Sequence, residues 1–298
     1  MDQVCEASVV VCTRNRRGLL AQNIESLLAQ RHPSFEIIYV DDGSTDDTPK
    51  LLDKTQAQHH GLISVVRANH RGPGPARNDG AAIARGKYLL FIDDDATAPP
   101  DWIPQMLRLR HAHHCAVLCG GIEPFSLESP VERYRHYRMT TALGHKPREL
   151  KSAPTGNLLV ERAAFQAAGG FRNLFLPAAE DWDLSYRLRQ QGARIFYDPA
   201  VSVIHRYSPD LARAQRAIIA TGAAGVYVAR LQGRSAAAYT AYALLRLAAS
   251  PVLVPQRYPV DLYGLALRME WLFATSRVRA YVRILLGKPV LQEPAASE

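Results

Sequence analysis

Cysteine is scarce in this chain of 298 residues, with only Cys5, Cys12, Cys115 and Cys119. Four thiols without a secretory leader argue against a disulfide framework and for a reducing cytosol. Cys115 and Cys119 lie near His111, His113 and His114, but the spacing fits no standard zinc pattern, and CAVLC reads as part of a buried strand. No basic run interleaves with aromatics, so no nucleic-acid partner is expected. No G-x-G-x-x-G follows the first apolar run, which disfavours a dinucleotide oxidoreductase. Uninterrupted apolar stretches of membrane-spanning length are also missing. The nearest, Ser235 to Val254, carries Arg246 near its centre and Pro251 near its end.

Charge is present but uneven. Residues 1–205 hold 24 Lys/Arg against 23 Asp/Glu, whereas residues 206–298 hold 12 against 5. Nearly all of the net +8 therefore belongs to the C-terminal third. An excess of that kind suits an anionic membrane surface. Beyond His205 alanine, arginine and tyrosine dominate, and helical spacing runs through Leu211 to Leu231, Ser235 to Leu253 and Leu262 to Leu286. The expected division is residues 1–205 as an α/β domain and 206–298 as a basic helical region lying on a membrane, with a disordered tail from Gln292 to Glu298.

The α/β domain is read from alternating patterns. Ala7–Cys12 and Phe35–Val40 are apolar, β-branched runs, and between them Leu20, Ile24, Leu27 and Leu28 recur at helical spacing up to His32-Pro33. That is a βαβ unit. Gly43 to Pro49 opens a second helix, in which Asp46 and Asp47 serve the cap and the helix dipole. Leu62–Arg67 is a third strand, and a Gly- and Pro-rich loop, Asn69 to Pro75, follows with Arg71 in it and Arg77 just beyond. The loop reads equally as an ordinary surface connection or as a cover for phosphates. Ala76–Arg85 reads as a short helix, Trp102–Leu109 as another, and Ala116–Gly120 as a strand. The segment from Ile122 to Ala153 reads as irregular and basic. Ala193–Tyr197 and Val201–Ile204 read as two short strands ending at His205.

The chain is organised around KYLLFIDDDA, Lys87 to Ala96. Tyr88 to Ile92 read as a strand buried on both faces, as in parallel sheets, and run directly into Asp93, Asp94 and Asp95. Ligands of open α/β sheets bind beyond the carboxyl ends of strands. Three adjacent carboxylates repel one another, and a hard divalent cation carrying phosphates relieves that repulsion. The plainer alternative is an acidic turn before the helix at Pro99-Pro100-Asp101-Trp102. A phospho-receiver domain also clusters aspartates at strand ends, but it is shorter and needs a late lysine that has no counterpart here.

VVVCTRNR, IIYVDDGSTDDT, GPARNDGAAIARGKYLLFIDDDA, TGNLLVERAAFQAAGGF and EDWDLSYRLRQQG, in that order, resemble a family 2 glycosyltransferase of GT-A fold over about Ala7 to His205. The resemblance implies a mostly parallel, Rossmann-like sheet flanked by helices, with the C-terminal helices as an extension. It implies metal-dependent, inverting transfer of a sugar from a nucleotide diphosphate sugar, UDP-linked by preference, to a hydroxyl acceptor. Thr13, Arg14 and Asp42 would surround the nucleotide base, with Asn15 and Arg16 in the same loop. The position of Arg14 is commonly aromatic in the family, and that of Cys12 commonly proline. Arg71, Arg77, Gly156 and Asn157 join the donor contacts. Asp95 would bind Mg2+ or Mn2+, with Asp93 and Asp94 at ribose or metal-bound water and His205 as a further ligand. Asp181 would be the general base and Glu180 its support, although both also suit a helix N-terminus on dipole grounds alone. The basic stretch with Arg133, Arg135, Arg138, Lys146, Arg148 and Lys151 suggests an acceptor bearing phosphate or carboxylate, or one linked to lipid. The location implied is cytoplasmic, peripheral at the inner face of the membrane. A second hypothesis is a non-catalytic nucleotide-sugar sensor or scaffold that retained the pocket.

Overall fold

The computed structural model describes residues 5–172 and 178–290; Pro177 and the tail from Gln292 fall outside them. The chain forms two compact units. The first comprises the chain to Phe125, the stretch from Leu143, and Leu184–Arg206; the second comprises Ser126–Ala142, the segment ending at Asp183, and the chain from Tyr207.

The first unit is built on one mixed sheet. Strands β1 (Ala7–Thr13), β2 (Phe35–Asp42), β3 (Ile63–Ala68) and β4 (Tyr88–Ile92) are joined by helices α1 (Arg17–Leu28), α2 (Thr48–Gln58) and α3 (Pro73–Ile83). β1 pairs in parallel with both β2 and β4, and β2 with β3, giving the spatial order 3-2-1-4. Parallel neighbours require crossover connections, which is why a helix lies between each pair. The order reverses between β1 and β4, and at such a reversal a crevice opens beyond the strand ends. The five residues of β4 are all buried, as their continuous apolar run implied.

Beyond β4 the mostly parallel sheet takes in antiparallel strands. After β5 (Ala96–Thr97), α4 (Trp102–Ala112) and β6 (Val117–Pro124) come α5 (Pro130–Leu143), β7 (Arg148–Glu149), β8 (Asn157–Glu161), α6 (Arg162–Ala167), α7 (Glu180–Gln190) and β9 (Ile195–His205). β8 is antiparallel to both β4 and β6, while β9 is parallel to β6 and antiparallel to β5 and β7. β4 is thus the seam between a parallel half and a mixed half.

Several boundaries differ from the sequence reading. The expected loop from Asn69 to Pro75 already turns helical at Pro73, because proline fits the first turn of a helix, where its missing N–H is not needed. The expected irregular stretch contains the end of β6 and the whole of α5. The two short strands near the C-terminal end of the unit are one strand, β9, with its register against β6 jumping from Asp198 to Ser202 across Pro199, which cannot donate to the ladder.

One close approach fixes α3 on the sheet. A Cβ at Gly80 would lie 2.6 Å from Val10 Cγ1 and 2.9 Å from Val40 Cγ2, so only glycine lets the helix sit this near β1 and β2.

In the second unit, α8 (Leu211–Leu231) begins at Asp210, whose carboxylate accepts from the Arg213 amide at 3.1 Å. α9 (Ala236–Ala248) is capped likewise by Ser235, which accepts from the Ala238 amide at 3.1 Å. The sequence suggested a continuous helix to Leu253. Instead the chain bends by 74° into α10 (Ser250–Arg257), whose first turn carries Pro251. α11 (Tyr263–Leu285) follows. Val131, Tyr134, Ile218, Val254, Leu262 and Met269 form a core in this unit, with Tyr134 and Tyr258 stacked at 5.5 Å. Among the described residues no single helix is long and apolar enough to cross a membrane; by length and composition the bent α9–α10 pair alone meets that test.

Glu36 is a buried charge that the first unit must satisfy. Its carboxylate accepts from Ser8 Oγ at 2.6 Å, from the Arg85 amide at 2.7 Å and from Arg85 Nε at 2.9 Å. Burial alone would raise its pKa, but these donors outweigh burial and hold the carboxyl below its ordinary value. Stabilisation from a lowered carboxyl is complete above the unfolded value of 4.5 and is lost as pH falls through the folded value. Glu36→Gln should therefore destabilise the protein by about 1–3 kcal/mol at neutral pH. In urea unfolding the gap to wild type should close under acid conditions; a gap independent of pH would contradict this account.

Candidate active site

The site begins where β1 and β4 end side by side. Thr13, the last residue of β1, donates its hydroxyl to Asp94 Oδ2 at 2.7 Å across the crevice. Arg16, in the loop after β1, approaches Asp94 at 3.8 Å and Asp95 at 3.7 Å. Arg77, on α3, reaches Asp93 at 3.2 Å with its guanidinium and lies over the Phe171 ring. His205 arrives from β9 because β5 pairs antiparallel with it, Ala96 opposite His205. Its Nε2 is 3.1 Å from Asp95 and 3.7 Å from Asp93.

The triplet is thus divided by direction. Asp93, Asp95 and His205 each offer a ligand atom, and these atoms all lie within 4.8 Å of one another. Two carboxylates and an imidazole suit Mn2+ well and Mg2+ less well, since imidazole is a softer partner than carboxylate oxygen. Asp93, read from the sequence as a ribose or water contact, belongs with this group, while Asp94 faces Thr13 and Arg16.

Electrostatics follow the same division. Burial and the adjacent Asp95 charge push Asp94 up to about 7, although Arg16 and the Thr13 hydroxyl oppose them. Burial would likewise raise Asp93, but the hydrogen bond from His205 and the charge of Arg77 outweigh it and hold this carboxyl low. Burial would lower His205, yet its bonds to Asp93 and Asp95 raise it. Without a metal ion, the imidazole proton and two guanidinium groups balance the carboxylates; a divalent cation would take over that role.

A buried asparagine that the sequence reading passed over fixes the backbone of the triplet. Asn23 Nδ2 donates to the carbonyls of Asp93 (3.2 Å) and Ala96 (2.8 Å), and its Oδ1 accepts from Tyr39 Oη at 2.9 Å. The available signal was its position. Leu20, Asn23, Ile24 and Leu27 form the buried stripe of α1, and a polar residue on such a face needs a partner.

Other expected donor residues fall into two groups. Gly156 borders Asp93, where a Cβ would come within 2.9 Å of Oδ2, and Arg14 lies against the loop after β2, its Nε 3.4 Å from the Gly43 carbonyl. By contrast, Asn157 is fully buried: its Oδ1 accepts from Trp102 Nε1, and its Nδ2 donates to Gly121 and Val201 carbonyls. Its amide joins strands and corrects the expectation of a donor contact. Asn15 holds the loops after β1 and β2 together, its amide donating to Ser44 Oγ and its Oδ1 accepting from the Thr45 amide. Arg71 pairs with Asp79. Asp42 accepts from the Arg71 and Gly72 amides, both at 2.9 Å, and so pins the loop leading into α3.

Glu180 and Asp181 stand in the first turn of α7, within the second unit. Asp181 Oδ1 accepts from the Trp182 amide at 2.9 Å. Ala179, at φ +67°, turns the chain into the helix and packs with Trp182 against Ala224 and Val228 of α8.

The sequence matches Glycosyl transferase family 2 over residues 8–171, and the chain belongs to that family. It is 29% identical over 217 residues to the pre-mycofactocin glycosyltransferase of Mycobacterium tuberculosis, covering 69% of this chain and 44% of that protein. It is 34% identical over 128 residues to the succinoglycan biosynthesis protein ExoO of Rhizobium meliloti, covering 43% of this chain and 36% of that protein. The chain therefore spans less than half the length of these two curated relatives. Among solved structures, the mannosyltransferase PcManGT of Pyrobaculum calidifontis, in complex with GDP-Man and Mn2+, superposes with a TM-score of 0.66 at 18% identity. That match covers 97% of this chain and 89% of the mannosyltransferase. The fold is GT-A.

Asp93→Ala and Asp95→Ala should each weaken Mn2+ binding, read by electron paramagnetic resonance titration, by about 100-fold or more, above the 10–100-fold typical of lost outer-shell partners. Asp94→Asn, facing Thr13 and Arg16, should have a much smaller effect. A larger loss at Asp94 than at Asp93 would reverse the division drawn above.

Proposed function

We propose that the chain transfers a sugar from a nucleotide diphosphate sugar, UDP-linked by preference, to a hydroxyl acceptor, with inversion at the anomeric carbon. The observation that carries this reading is the gathering of Asp93, Asp95 and His205 within 4.8 Å at the β1–β4 crevice of a family 2 chain. Departure of a nucleoside diphosphate leaves negative charge on the β-phosphate, and a divalent cation held by these residues would stabilise it. Arg16 and Arg77 lie beside the same carboxylates and would add positive charge near the diphosphate. Thr13, Arg14 and the loop pinned by Asp42 would frame the base.

In the reaction the acceptor oxygen bonds to the anomeric carbon as the bond from that carbon to the β-phosphate oxygen breaks. The acceptor proton passes to Asp181, with Glu180 as its support. Attack opposite the departing group inverts the centre. On this reading residues 1–205 bind the donor and carry the chemistry, and residues 206–298 associate with the membrane from the cytoplasmic side. The exposed Tyr242, Leu245, Val252 and Trp271, interspersed with an excess of arginine, support that association.

Calorimetric titration with UDP, GDP and dTDP, each with and without Mn2+, tests the donor site. One diphosphate should bind, more tightly with metal, and Asp95→Ala should abolish the metal effect. Failure of all three to bind in the presence of Mn2+ would refute the proposal. Asp181→Asn should lower turnover by about 10²–10⁴-fold, the usual contribution of a general base, and leave donor affinity unchanged. Full turnover in that variant would remove Asp181 from the role, and wild-type protein that binds donor but neither transfers nor hydrolyses it would favour a sensor.

A further inference from the structure

The second unit contains a cavity of about 340 Å3 that none of the donor chemistry uses. Arg138 of α5, Arg246 of α9, Arg257 of α10 and Arg277 of α11 line it, with Glu270 of α11 as its one carboxylate among the described residues. Glu270 is engaged by Arg246. Among the described residues no carboxylate lies within ion-pair distance of Arg138, Arg257 or Arg277.

Arg277 is the most constrained of these groups. The residue is 5% exposed, and its guanidinium is held between the rings of Tyr239 and Phe273, at 4.1 and 4.3 Å from their centroids. One terminal nitrogen donates to Tyr239 Oη at 2.9 Å. Its Nε is buried with no hydrogen-bond partner among the described residues. Burial lowers its pKa, and the neighbouring Arg246 charge adds to the effect. A buried guanidinium with an unused donor is costly to a fold unless an anion completes it.

We propose that this cavity binds a phosphate-bearing ligand, a phosphomonoester or diphosphate, through Arg277, Arg138 and Arg257. Guanidinium groups match phosphate oxygens in paired N–H geometry, and three uncompensated positive charges suit a dianion better than a single carboxylate. The aromatic wall, Trp182 with Tyr242 and Tyr258, gives the remainder of the ligand an apolar surface. Tyr242 on α9 is 61% exposed, so the wall continues to solvent. The same phosphate chemistry can come from a soluble molecule or from a lipid headgroup. The site rests on the helical unit alone and stands whether or not the transfer reading holds.

The test uses the full chain with EDTA present, which keeps divalent cations from the Asp93–Asp95–His205 group. Inorganic pyrophosphate is titrated by calorimetry. Cosedimentation compares vesicles of phosphatidylcholine with vesicles doped with phosphatidic acid. Arg277→Gln is the direct variant. Because Arg277 is buried and its loss can unfold the unit, the half-buried double variant Arg138→Gln/Arg257→Gln carries the decision, with circular dichroism melting to verify folding. Arg216→Gln/Arg279→Gln, exposed and outside the cavity, removes the same net charge as a control. Pyrophosphate affinity falling at least tenfold in the cavity double and not in the control supports a soluble phosphate ligand. Retention on doped vesicles that is lost only in the cavity double supports a lipid headgroup. Equal losses in both doubles, affinity unchanged in the cavity double, or binding to neither probe would overturn the proposal.

Discussion

The first unit depends on a single electrostatic constraint, three consecutive carboxylates at the end of a fully buried strand. Two unit charges 4 Å apart interact by about 4 kcal/mol at the effective dielectric typical near a protein surface. The chain could not hold the triplet at the β1–β4 crevice without compensation, and compensation arrives from four separate directions. Thr13 comes from β1, Arg16 from the loop beyond it, Arg77 from α3 and His205 from β9. Each of these elements is positioned by ordinary packing, such as the close seat of α3 at Gly80 or the β5–β9 pair. The packing of the unit and the neutralisation of its acidic centre are consequently one problem with one solution.

That solution explains why the sheet changes character at β4. The parallel half carries the crevice, but a purely parallel sheet would bring only strand ends and helix starts to it. The antiparallel entry of β8 and the long β9 bring residues distant in sequence to the same point, and β5 turns the chain directly after the triplet so that Ala96 pairs with His205. Asn23 then ties the carbonyls of Asp93 and Ala96 to the core through Tyr39, holding the backbone that carries the carboxylates. Carboxylates two residues apart, as Asp93 and Asp95 are, can share an ion only when the backbone between them is held.

How much of this was legible in the sequence depended on the range of the interaction. β1, β2 and β4 were readable because their signal is local, a short apolar run bounded by polar residues. The triplet was readable as acidic and as lying at a strand end. Which aspartate faces which partner was not, since the division among Asp93, Asp94 and Asp95 is decided by residues of β1 and its loop, α3 and β9. Asn157 misled for the same reason: nothing near it in the chain shows that Trp102, Gly121 and Val201 would saturate its amide. Prolines misled in both directions. Pro73 and Pro75 looked like loop signals yet lie in the first turn of a helix, while Pro251 was noticed but its consequence, a 74° bend, depends on how α10 packs.

The helical unit shows the limit of net charge as a sequence signal. A surplus of arginine in an alanine-rich region is equally consistent with a solvated face, a membrane platform or a binding site. These differ in whether the charges are dispersed in water or gathered around a cavity. Arg216 and Arg279 are dispersed, whereas Arg138, Arg246, Arg257 and Arg277 come from four different helices to one cavity with a single carboxylate among the described residues. Guanidinium groups brought together in this way repel, as the aspartates do in the first unit. Tyr239 and Phe273 offset part of that cost for Arg277 through their ring faces. At the crevice Arg16, Arg77 and His205 offset the aspartates, whereas the surplus among these arginines is met by Glu270 alone among the described residues.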